Sequence, residues 1–467
     1  MKLELLTTDL LIWLMLATIA ATAIYARDKE HLRAPWRQVV RSRMGVASLV
    51  ILLAYVCVGV LDSFHFRKAL PGEGNNGEVR YSSEVVSLLD LAMDSIRNAQ
   101  EKTYSAPFAA YAYAKETVQL ADGSQARIYP RLKYGGAHLQ DPERQRGGDI
   151  LRLSFIGLAI GLAVWGALVA LITLLVSLSQ RRSMAEVLGA MVKGEAEVPW
   201  RVVFTTLGVL SLFVAWCLTL AQYYHILGTD KVGQDVFYQA IKSIRTGLVI
   251  GTLTTLVMLP FAVMFGIMAG YLRGWVDDLI QYIYTTLNSI PGILLIAASV
   301  LMVQVYINLN PDLFETDAAR ADLRLLLLCV ILGIMSWTGL CRMLRGEVMK
   351  LREMDYVEAA MAMGVERFKI MTRHLLPNVM HIVMISVVLD FSGLVLAEAV
   401  LSYVGVGVDP TTFSWGNMIN GARLEMAREP MVWWSLLAAF VFMFVLVLAA
   451  NLFSDAVRDA FDPRLRK

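Results

Sequence analysis

The chain has 467 residues, of which 57% are apolar and 18% are charged. Soluble globular proteins carry about 25% charged residues, and here the deficit is concentrated in long apolar runs, which argues against a soluble protein. The 42 basic and 40 acidic residues nearly cancel, giving a net charge of +2. No overall field for nucleic acid or an acidic partner is implied, so only the placement of charge along the chain is informative.

Nine segments are long and apolar enough to cross about 30 Å of hydrocarbon, which takes about 20 helical residues. Helices are expected because their backbone groups bond internally where no water is available. The sequence therefore predicts an all-α polytopic membrane protein. The predicted spans cover residues 10–25, 44–64, 151–178, 202–223, 247–271, 279–308, 323–343, 379–403 and 432–453.

The charges of the connectors predict an orientation. If the C-terminal tail is cytoplasmic, nine alternating spans place the N-terminus outside, and the basic segment 26–43 then lies inside, as the positive-inside bias predicts. Its basic residues are Arg27, Lys29, Arg33, Arg37, Arg41 and Arg43. The first span ends in small residues like a secretory signal, but cleavage would leave this segment outside, so we expect the span to be retained.

The segment 65–150 falls outside in this topology. It carries many basic residues, but loops longer than about 60 residues translocate largely regardless of charge. Residues 71–77 form a turn-rich opening, and 84–98 has helical apolar spacing. A small folded extracytoplasmic domain and a poorly ordered loop are both compatible with this pattern, because so short and polar a segment makes a thin core.

The sequence contains no recognisable catalytic or metal-binding pattern. The phosphate-binding pattern G-x-x-x-x-G-K-S/T is absent, and no Gly-Lys dipeptide occurs. The six histidines include no H-E-x-x-H, and the four cysteines, Cys57, Cys217, Cys329 and Cys341, are interpreted as small packing residues. We therefore expect no catalytic residue, metal or cofactor in this chain.

A few polar side chains lie well inside the predicted spans. Asp390 and Glu398 are in the eighth, and Asn288 is in the sixth. Such residues face the bundle interior or an aqueous path, so each is a possible pathway-lining residue or an interhelical hydrogen-bonding residue. The pairs Gly247/Gly251 and Gly266/Gly270 have the G-x-x-x-G spacing that permits close helix packing.

The connector 344–378 between the seventh and eighth spans is the most informative stretch. Val357 and Ala360 fall at helical spacing and predict a short helix with a small apolar face, ending at Gly364 as a left-handed C-cap. A second helix is predicted from Glu366 to just before Pro377. The apolar face must be covered either by the protein's own helices or by a partner with a groove.

At these residues the chain resembles the membrane permease subunits of ABC importers, whose signature is E-A-A, three residues, G, nine residues, I-x-L-P. Glu358, Ala359, Ala360, Gly364, Leu376 and Pro377 match it, and His374 replaces the isoleucine as in the dipeptide/oligopeptide/nickel subgroup. Three further stretches resemble that subgroup: 225–235, 398–407 with 414–417, and 451–464.

The resemblance covers 225–467, with 37–64 similar to the family's first span. It implies that the C-terminal five spans and the span 44–64 have the six-helix fold of type I importer permeases. The chain is then divided into an extra N-terminal helix with its basic connector (1–43), the first family-like span (44–64), an extracytoplasmic insertion (65–150), two extra helices (151–223) and the permease domain (224–467).

The resemblance also implies function. The helix around Glu358 would couple to a separate ATP-binding subunit, so that ATP and Mg²⁺ are bound by that partner. A second permease and an extracytoplasmic substrate-binding protein complete such a transporter in the bacterial inner membrane. The implied substrates are di- or oligopeptides, with nickel or another small solute as the alternative. An ion-coupled secondary transporter is the competing class, and it would need paired intramembrane acids and inverted repeats.

Overall fold

The computed structural model describes residues 2–27, 30–73, 79–119, 125–310, 314 and 316–461. The helices are α1 (Thr7–Arg27), α2 (Glu30–Arg41), α3 (Arg43–Asp62), α4 (Leu88–Ala92), α5 (Asp94–Arg97), α6 (Pro142–Gln180), α7 (Met184–Lys193), α8 (Trp200–Ala221), α9 (Val236–Leu272), α10 (Trp275–Ser289), α11 (Gly292–Leu309), α12 (Asp317–Arg352), α13 (Asp355–Ala362), α14 (Arg367–Ile370), α15 (Leu376–Tyr403), α16 (Trp415–Glu425) and α17 (Trp434–Phe461). A π-helical turn, Met371–Leu375, joins α14 to α15. The strands are β1 (Lys2–Glu4), β2 (His65–Glu73), β3 (Val79–Ser87), β4 (Glu116–Gln119) and β5 (Gln125–Ile128).

Most of the described chain is helical, and the prediction of an all-α polytopic membrane protein is confirmed. In the described ranges, eight helices are long and apolar enough to span a membrane, and α1 contributes a shorter apolar stretch, Thr7–Ala21. Several helices start earlier than predicted: α9 begins at Val236 and α12 at Asp317. Hydropathy detects only the apolar part of a helix, whereas the hydrogen-bonded helix continues through polar turns beyond it.

The prediction of one continuous helix over 279–308 was wrong. The chain breaks between α10 and α11, where Ile290 has an extended ψ of 132° and Pro291 precedes the first residue of α11. Proline disfavours helical backbone in the residue before it and has no N–H to donate. Only α11 therefore has the composition of a span here, and α10 is a separate, more polar helix.

The insertion is folded in its described residues. β1, β2 and β3 form an antiparallel sheet in which Leu3 pairs with Phe66 and Phe66 with Val86. Leu89, Met93 and Ile96 pack in one cluster with residues of α8 and α9. The turn residues 74–78 lie outside the described residues. Because β1 joins this sheet, the N-terminus lies on the same side of the helices as the insertion, which is called the insertion side below.

The opposite end of the bundle, called the connector side, carries α13. The C-terminal end of α17 is also on the far side of the bundle from the sheet, where Val39 of α2 packs with Val457 and Ala460. Arg37 and Arg41 of α2 form ion pairs with Glu197, just before α8. The basic N-terminal connector is thereby tied to the extra helices, although Arg27 and Lys29 are not among the residues whose side chains are described.

The extra helices α6 and α8 pack closely through small residues. A Cβ at Gly157 would lie 2.9 Å from the Cα of Trp216, and one at Gly161 would lie 2.8 Å from the Cα of Leu212. Without side chains at these positions the two backbones approach each other directly, which maximises van der Waals contact in a lipid environment.

The same principle joins the two central helices, α9 and α12. A Cβ at Gly266 would lie 2.7 Å from the Cβ of Leu344, and a Cβ at Gly270 would lie 2.7 Å from the Cβ of Val348. The other predicted pair, Gly247/Gly251, makes different contacts: Gly247 faces the Trp415 ring of α16. The glycine spacing thus marks real helix contacts, but the sequence could not name their partners.

We predict that Gly270→Ala destabilises the protein and that Gly339→Ala does not. Alanine gains about 1 kcal/mol over glycine inside a helix, but at Gly270 the added methyl collides with α12, and overpacking costs about 1–3 kcal/mol. Thermal unfolding of the purified chain in detergent measures the difference. Gly339 is the matched control because its Cβ would meet no atom within 4 Å. An equal unfolding temperature for the two variants would contradict the close packing of α9 on α12.

Candidate functional site

The short helix α13 ends in a Schellman motif at Gly364. Gly364 has a φ of +73°, its N–H donates to the carbonyl of Met361 at 3.0 Å, and the Val365 N–H donates to the carbonyl of Ala360 at 3.0 Å. This pair of hydrogen bonds satisfies carbonyls that the helix end leaves free. The predicted left-handed cap is confirmed, and glycine is the residue that adopts this conformation without steric cost.

One face of α13 is packed inside the protein. Val357 and Ala360 are buried among residues of α9, α12 and α15, including Tyr271, Val348 and Val379. Of the two coverings that the sequence left open, the protein's own helices therefore cover the small apolar face.

The other face of α13 is exposed. Glu358 and Ala359 are exposed there, and large apolar side chains of the same connector are exposed as well: Met363 is 76% exposed and Phe368 is 67% exposed. A short helix that is rigidly seated on the bundle and apolar on its open face is suited to docking against another protein.

The prediction that the second helix stops before Pro377 was wrong. The chain passes from α14 through the π turn directly into α15, with Pro377 in the first turn of α15. Proline is tolerated in a first helical turn, and the wider π turn accommodates its ring. The Asn378 side chain donates to the carbonyl of His374 at 2.7 Å, which satisfies one of the local carbonyls. The connector is thus joined without a loop to a membrane helix.

The three polar residues predicted inside spans occupy different surroundings. Glu398 is 2% exposed and accepts a hydrogen bond from the Ser402 hydroxyl at 2.7 Å. Asn288 is exposed, and its Oδ1 accepts from the Thr338 hydroxyl at 3.2 Å. Asp390 is half-buried, and its carboxylate makes no hydrogen bond or ion pair within the described residues. The structure does not bring these three together, and a pathway role for them stays a prediction.

The family-like stretch 225–235 holds the insertion in place. His225 Nδ1 lies 2.7 Å from Asp235 Oδ2, and its Nε2 lies 3.5 Å from Oε1 of Glu101 in the insertion. The Thr229 hydroxyl donates to the carbonyl of Thr103 at 2.9 Å and accepts from the Ser105 N–H at 2.7 Å. Sequence reasoning did not single out Glu101, because no spacing rule connects it with His225 across 124 residues.

Charge pairing stabilises this contact. Burial opposes the charged imidazolium, but the hydrogen bond to Asp235 and the negative charges of Asp235 and Glu101 outweigh it and raise the pKa of His225 to about 9. Burial likewise opposes the charge of Glu101, but the neighbouring His225 ring and hydrogen bonds from the N–H groups of Tyr134, Lys133 and Gly135 lower its pKa to about 2. Around neutral pH the histidine is therefore a cation between two carboxylates.

A second polar network connects α1, α9 and α12 on the insertion side. Arg245 of α9 donates to Asp9 of α1 at 2.6 Å and lies 3.6 Å from Asp322 of α12. The Thr8 N–H donates to Asp322 at 3.0 Å, and His65 lies 2.7 Å from Asp9. The sequence places these groups in segments far apart along the chain, so pattern reasoning could not join them.

Next to it, Lys242 of α9 links the helices to the insertion. Its Nζ lies 2.6 Å from Asp62 at the end of α3 and 2.8 Å from Asp90 of α4. The Tyr238 hydroxyl donates to the same Asp90 at 2.6 Å. In the described part of the chain, no group of three or more His, Cys, Asp or Glu side chains is arranged to hold a metal ion.

Comparison with known proteins gives one family. The family described as "Binding-protein-dependent transport system inner membrane component" matches residues 262–467. This match contains α13, the π turn and the close-packed glycines of α9, so the connector with its Schellman cap lies within the shared region.

Three curated relatives extend the comparison. The glutathione transport system permease protein GsiD of Pectobacterium atrosepticum is 32% identical over 244 residues, 52% of this chain and 73% of that protein. The dipeptide transport system permease protein DppC of Lactococcus lactis is 30% identical, covering 51% of this chain and 64% of the relative. The oligopeptide transport system permease protein OppC of Haemophilus influenzae is 28% identical, covering 52% and 71%.

Among solved structures, an inward-facing MetNI methionine ABC transporter matches with a TM-score of 0.35 and 16% identity. The match covers 47% of this chain and 96% of that chain.

We predict that the thermal stability of the protein falls as the pH rises from about 6.5 to about 9. The folded-state pKa of His225 is raised from 6.5 to about 9, so its contribution is fully present below the unfolded value and is lost as the imidazolium deprotonates in the fold. Unfolding temperature against pH, measured in detergent, checks this.

In the Glu101→Gln variant this fall should be smaller, because one of the two carboxylates facing the imidazolium is gone. Glu116→Gln is the control: among the described residues Glu116 forms an ion pair only with the exposed Lys102 in the same insertion. The assignment would be refuted by a pH profile of Glu101→Gln that matches the wild-type profile over this range.

Proposed function

This chain belongs to the family of binding-protein-dependent transport system inner membrane components, and we propose that it is a permease subunit of an ATP-driven importer for di- or oligopeptides. It is a multi-pass inner-membrane protein. The segment shared with the relatives, about half of the chain, would provide one side of the translocation pathway. ATP hydrolysis would occur in a separate subunit.

The observation that carries this proposal is the geometry of α13. The helix is fastened to α9 and α12 by Val357 and Ala360, and it is followed by a π turn that continues into α15. A rigid-body movement of a docked partner would therefore pass directly into three membrane helices, which is how alternating access can be driven. Glu358 and Ala359 on the open face would contact the groove of the ATP-binding subunit.

The complete transporter would contain a second permease, ATP-binding subunits that hold ATP and Mg²⁺, and an extracytoplasmic substrate-binding protein. The ATP-binding subunits would dock on the connector side, which makes that side cytoplasmic. The N-terminus and the insertion would then lie outside and the C-terminus inside. The basic residues of α2 support this orientation, because they lie at the end opposite the insertion.

Peptides are the proposed substrates because the relatives named above carry peptide permease names: DppC and OppC are dipeptide and oligopeptide permeases, and GsiD transports glutathione, itself a short peptide. The ion-coupled alternative is disfavoured by the separation of Glu398, which is buried in a hydrogen bond, from Asp390, which has no polar partner in the described residues. Paired intramembrane acids are what that mechanism needs.

We predict that Glu358→Ala reduces the co-purification of an ATP-binding subunit with the tagged chain by about tenfold, because a hydrogen bond to a charged group contributes about 1.5–3 kcal/mol. Partners are captured from the native membrane in mild detergent, identified by mass spectrometry and assayed for ATP hydrolysis.

The matched control is Glu366→Ala, an exposed glutamate that follows the Gly364 turn and makes no side-chain capping hydrogen bond. It should retain the partner at the wild-type level. Equal recovery from the two variants, or capture of the chain without any ATP-binding subunit, would argue against the proposal.

A further inference from the structure

A large polar cavity of about 1180 Å³ opens on the insertion side. One wall belongs to the segment outside the family resemblance and includes His65, Glu84 and Arg97. The opposite wall is formed by the first turns of α9 and α12 and by residues 411–413. Binding sites for small molecules typically measure about 300–1,000 Å³, so this cavity is large enough for a short peptide.

A smaller recess of about 170 Å³ adjoins the cavity and shares the lining residues Ile307, Asn308 and Arg320 with it. In the recess two guanidinium groups, those of Arg320 and Arg324, face one carboxylate, that of Asp409. Arg324 Nη1 lies 3.2 Å from Asp409 Oδ2, and the other oxygen of Asp409 accepts hydrogen bonds from Thr411.

Arg324, which lines the recess, has an unused donor. The residue is 8% exposed, and its Nε has no hydrogen-bond acceptor among the described residues. Buried polar groups are nearly always hydrogen-bonded, and a buried unpaired donor is costly. In the part of the chain that the structure describes, Arg320 pairs only with Asp317, one turn away, at 3.3 Å and in an exposed position, where such a pair contributes little. A ligand carboxylate would supply the missing acceptor and pair with both arginines.

The floor of the main cavity has the opposite character. Asp62 and Asp90 share the single ammonium of Lys242, and Asp9 and Asp322 share the single guanidinium of Arg245. Three of these carboxylates, Asp62, Asp90 and Asp322, line the cavity with the two cations, and Asp9 is fully buried beside His65. The surplus of negative charge favours a ligand cation at this end.

We propose that the cavity and its recess form a binding site for zwitterionic short peptides at the entrance of the permease, with the peptide carboxylate on Arg320 and Arg324 and the peptide ammonium toward the acidic floor. The proposal rests on the function proposed above and specifies where its substrate first contacts this chain. The insertion forms one wall of the cavity and would therefore contribute directly to substrate binding.

The test is protection of a cysteine at position 308, which lines both volumes. Asn308→Cys is prepared in a Cys57→Ser background, because Cys57 is the exposed native cysteine, and the purified full chain is placed in lipid nanodiscs. The rate of maleimide labelling is measured against the concentration of trialanine, N-acetyl-trialanine and trialanine amide. Trialanine should protect, and each blocked analogue should need about tenfold more for equal protection, since each loses one charge-assisted contact.

Arg320→Gln supplies the second arm. The variant should need about tenfold more trialanine for equal protection. The concentration of trialanine amide needed should be unchanged, because the amide has no carboxylate that could pair with Arg320. Tyr129 is 50% exposed on the insertion and does not line the cavity, so the Tyr129→Cys variant should label at the same rate with and without peptide. Arg367→Gln on the connector side is the control for a general loss of arginine.

Equal protection by the three peptides, no protection by any of them, or an Arg320→Gln variant that behaves like the wild type would each overturn the site. The assay needs neither ATP nor a partner subunit. If peptides fail to protect while Glu358-dependent capture of the ATP-binding subunit succeeds, only the site is refuted. If peptides protect while no ATP-binding subunit is captured, the importer proposal fails on its own.

Discussion

The buried ion network around Arg245 is the interaction on which the insertion side of the structure depends. Arg245 is 9% exposed, and a buried guanidinium at the end of a membrane helix is costly unless its donors are paired. Its partners, Asp9 and Asp322, come from α1 and α12, so pairing this one charge fixes three helices relative to one another. The short strand β1 directly precedes α1, and this position lets it join the sheet of the insertion.

The insertion is held to the permease helices by the same kind of interaction, repeated at different points. Lys242 bridges Asp62 and Asp90, and His225 lies between Asp235 and Glu101. Breaking a buried pair by removing one partner leaves an uncompensated charge, so these contacts favour a single arrangement of the segment. A segment with a thin apolar core of its own is thereby ordered by the membrane helices under it.

On the connector side, apolar packing rather than charge holds α13 to the membrane helices. Glycines at positions 266 and 270 bring α9 and α12 into direct backbone contact, and α13 is seated on the resulting surface through Val357 and Ala360. Close-packed helices transmit displacement because their interior has no free volume to absorb it. The charged network at the insertion side and the apolar contact of α13 lie on the same two long helices, α9 and α12. These helices connect the proposed substrate site with the proposed docking site of the ATP-binding subunit.

The amino-acid sequence alone determined the features that are local. Hydropathy identified the membrane helices, and a single glycine after a short amphipathic stretch identified the cap of α13, because a positive φ is a property of one residue and its neighbours. Even local rules failed where a proline could act in two ways. Pro291 interrupts a predicted span, whereas Pro377 lies in the first turn of α15 and does not end the helical segment that precedes it. Only the tertiary structure decided which charges meet. Arg245 and Asp9 are 236 residues apart, and Arg324 and Asp409 are 85 apart. Coulombic pairing depends on distance in space, which residue spacing along the chain does not encode across several helices.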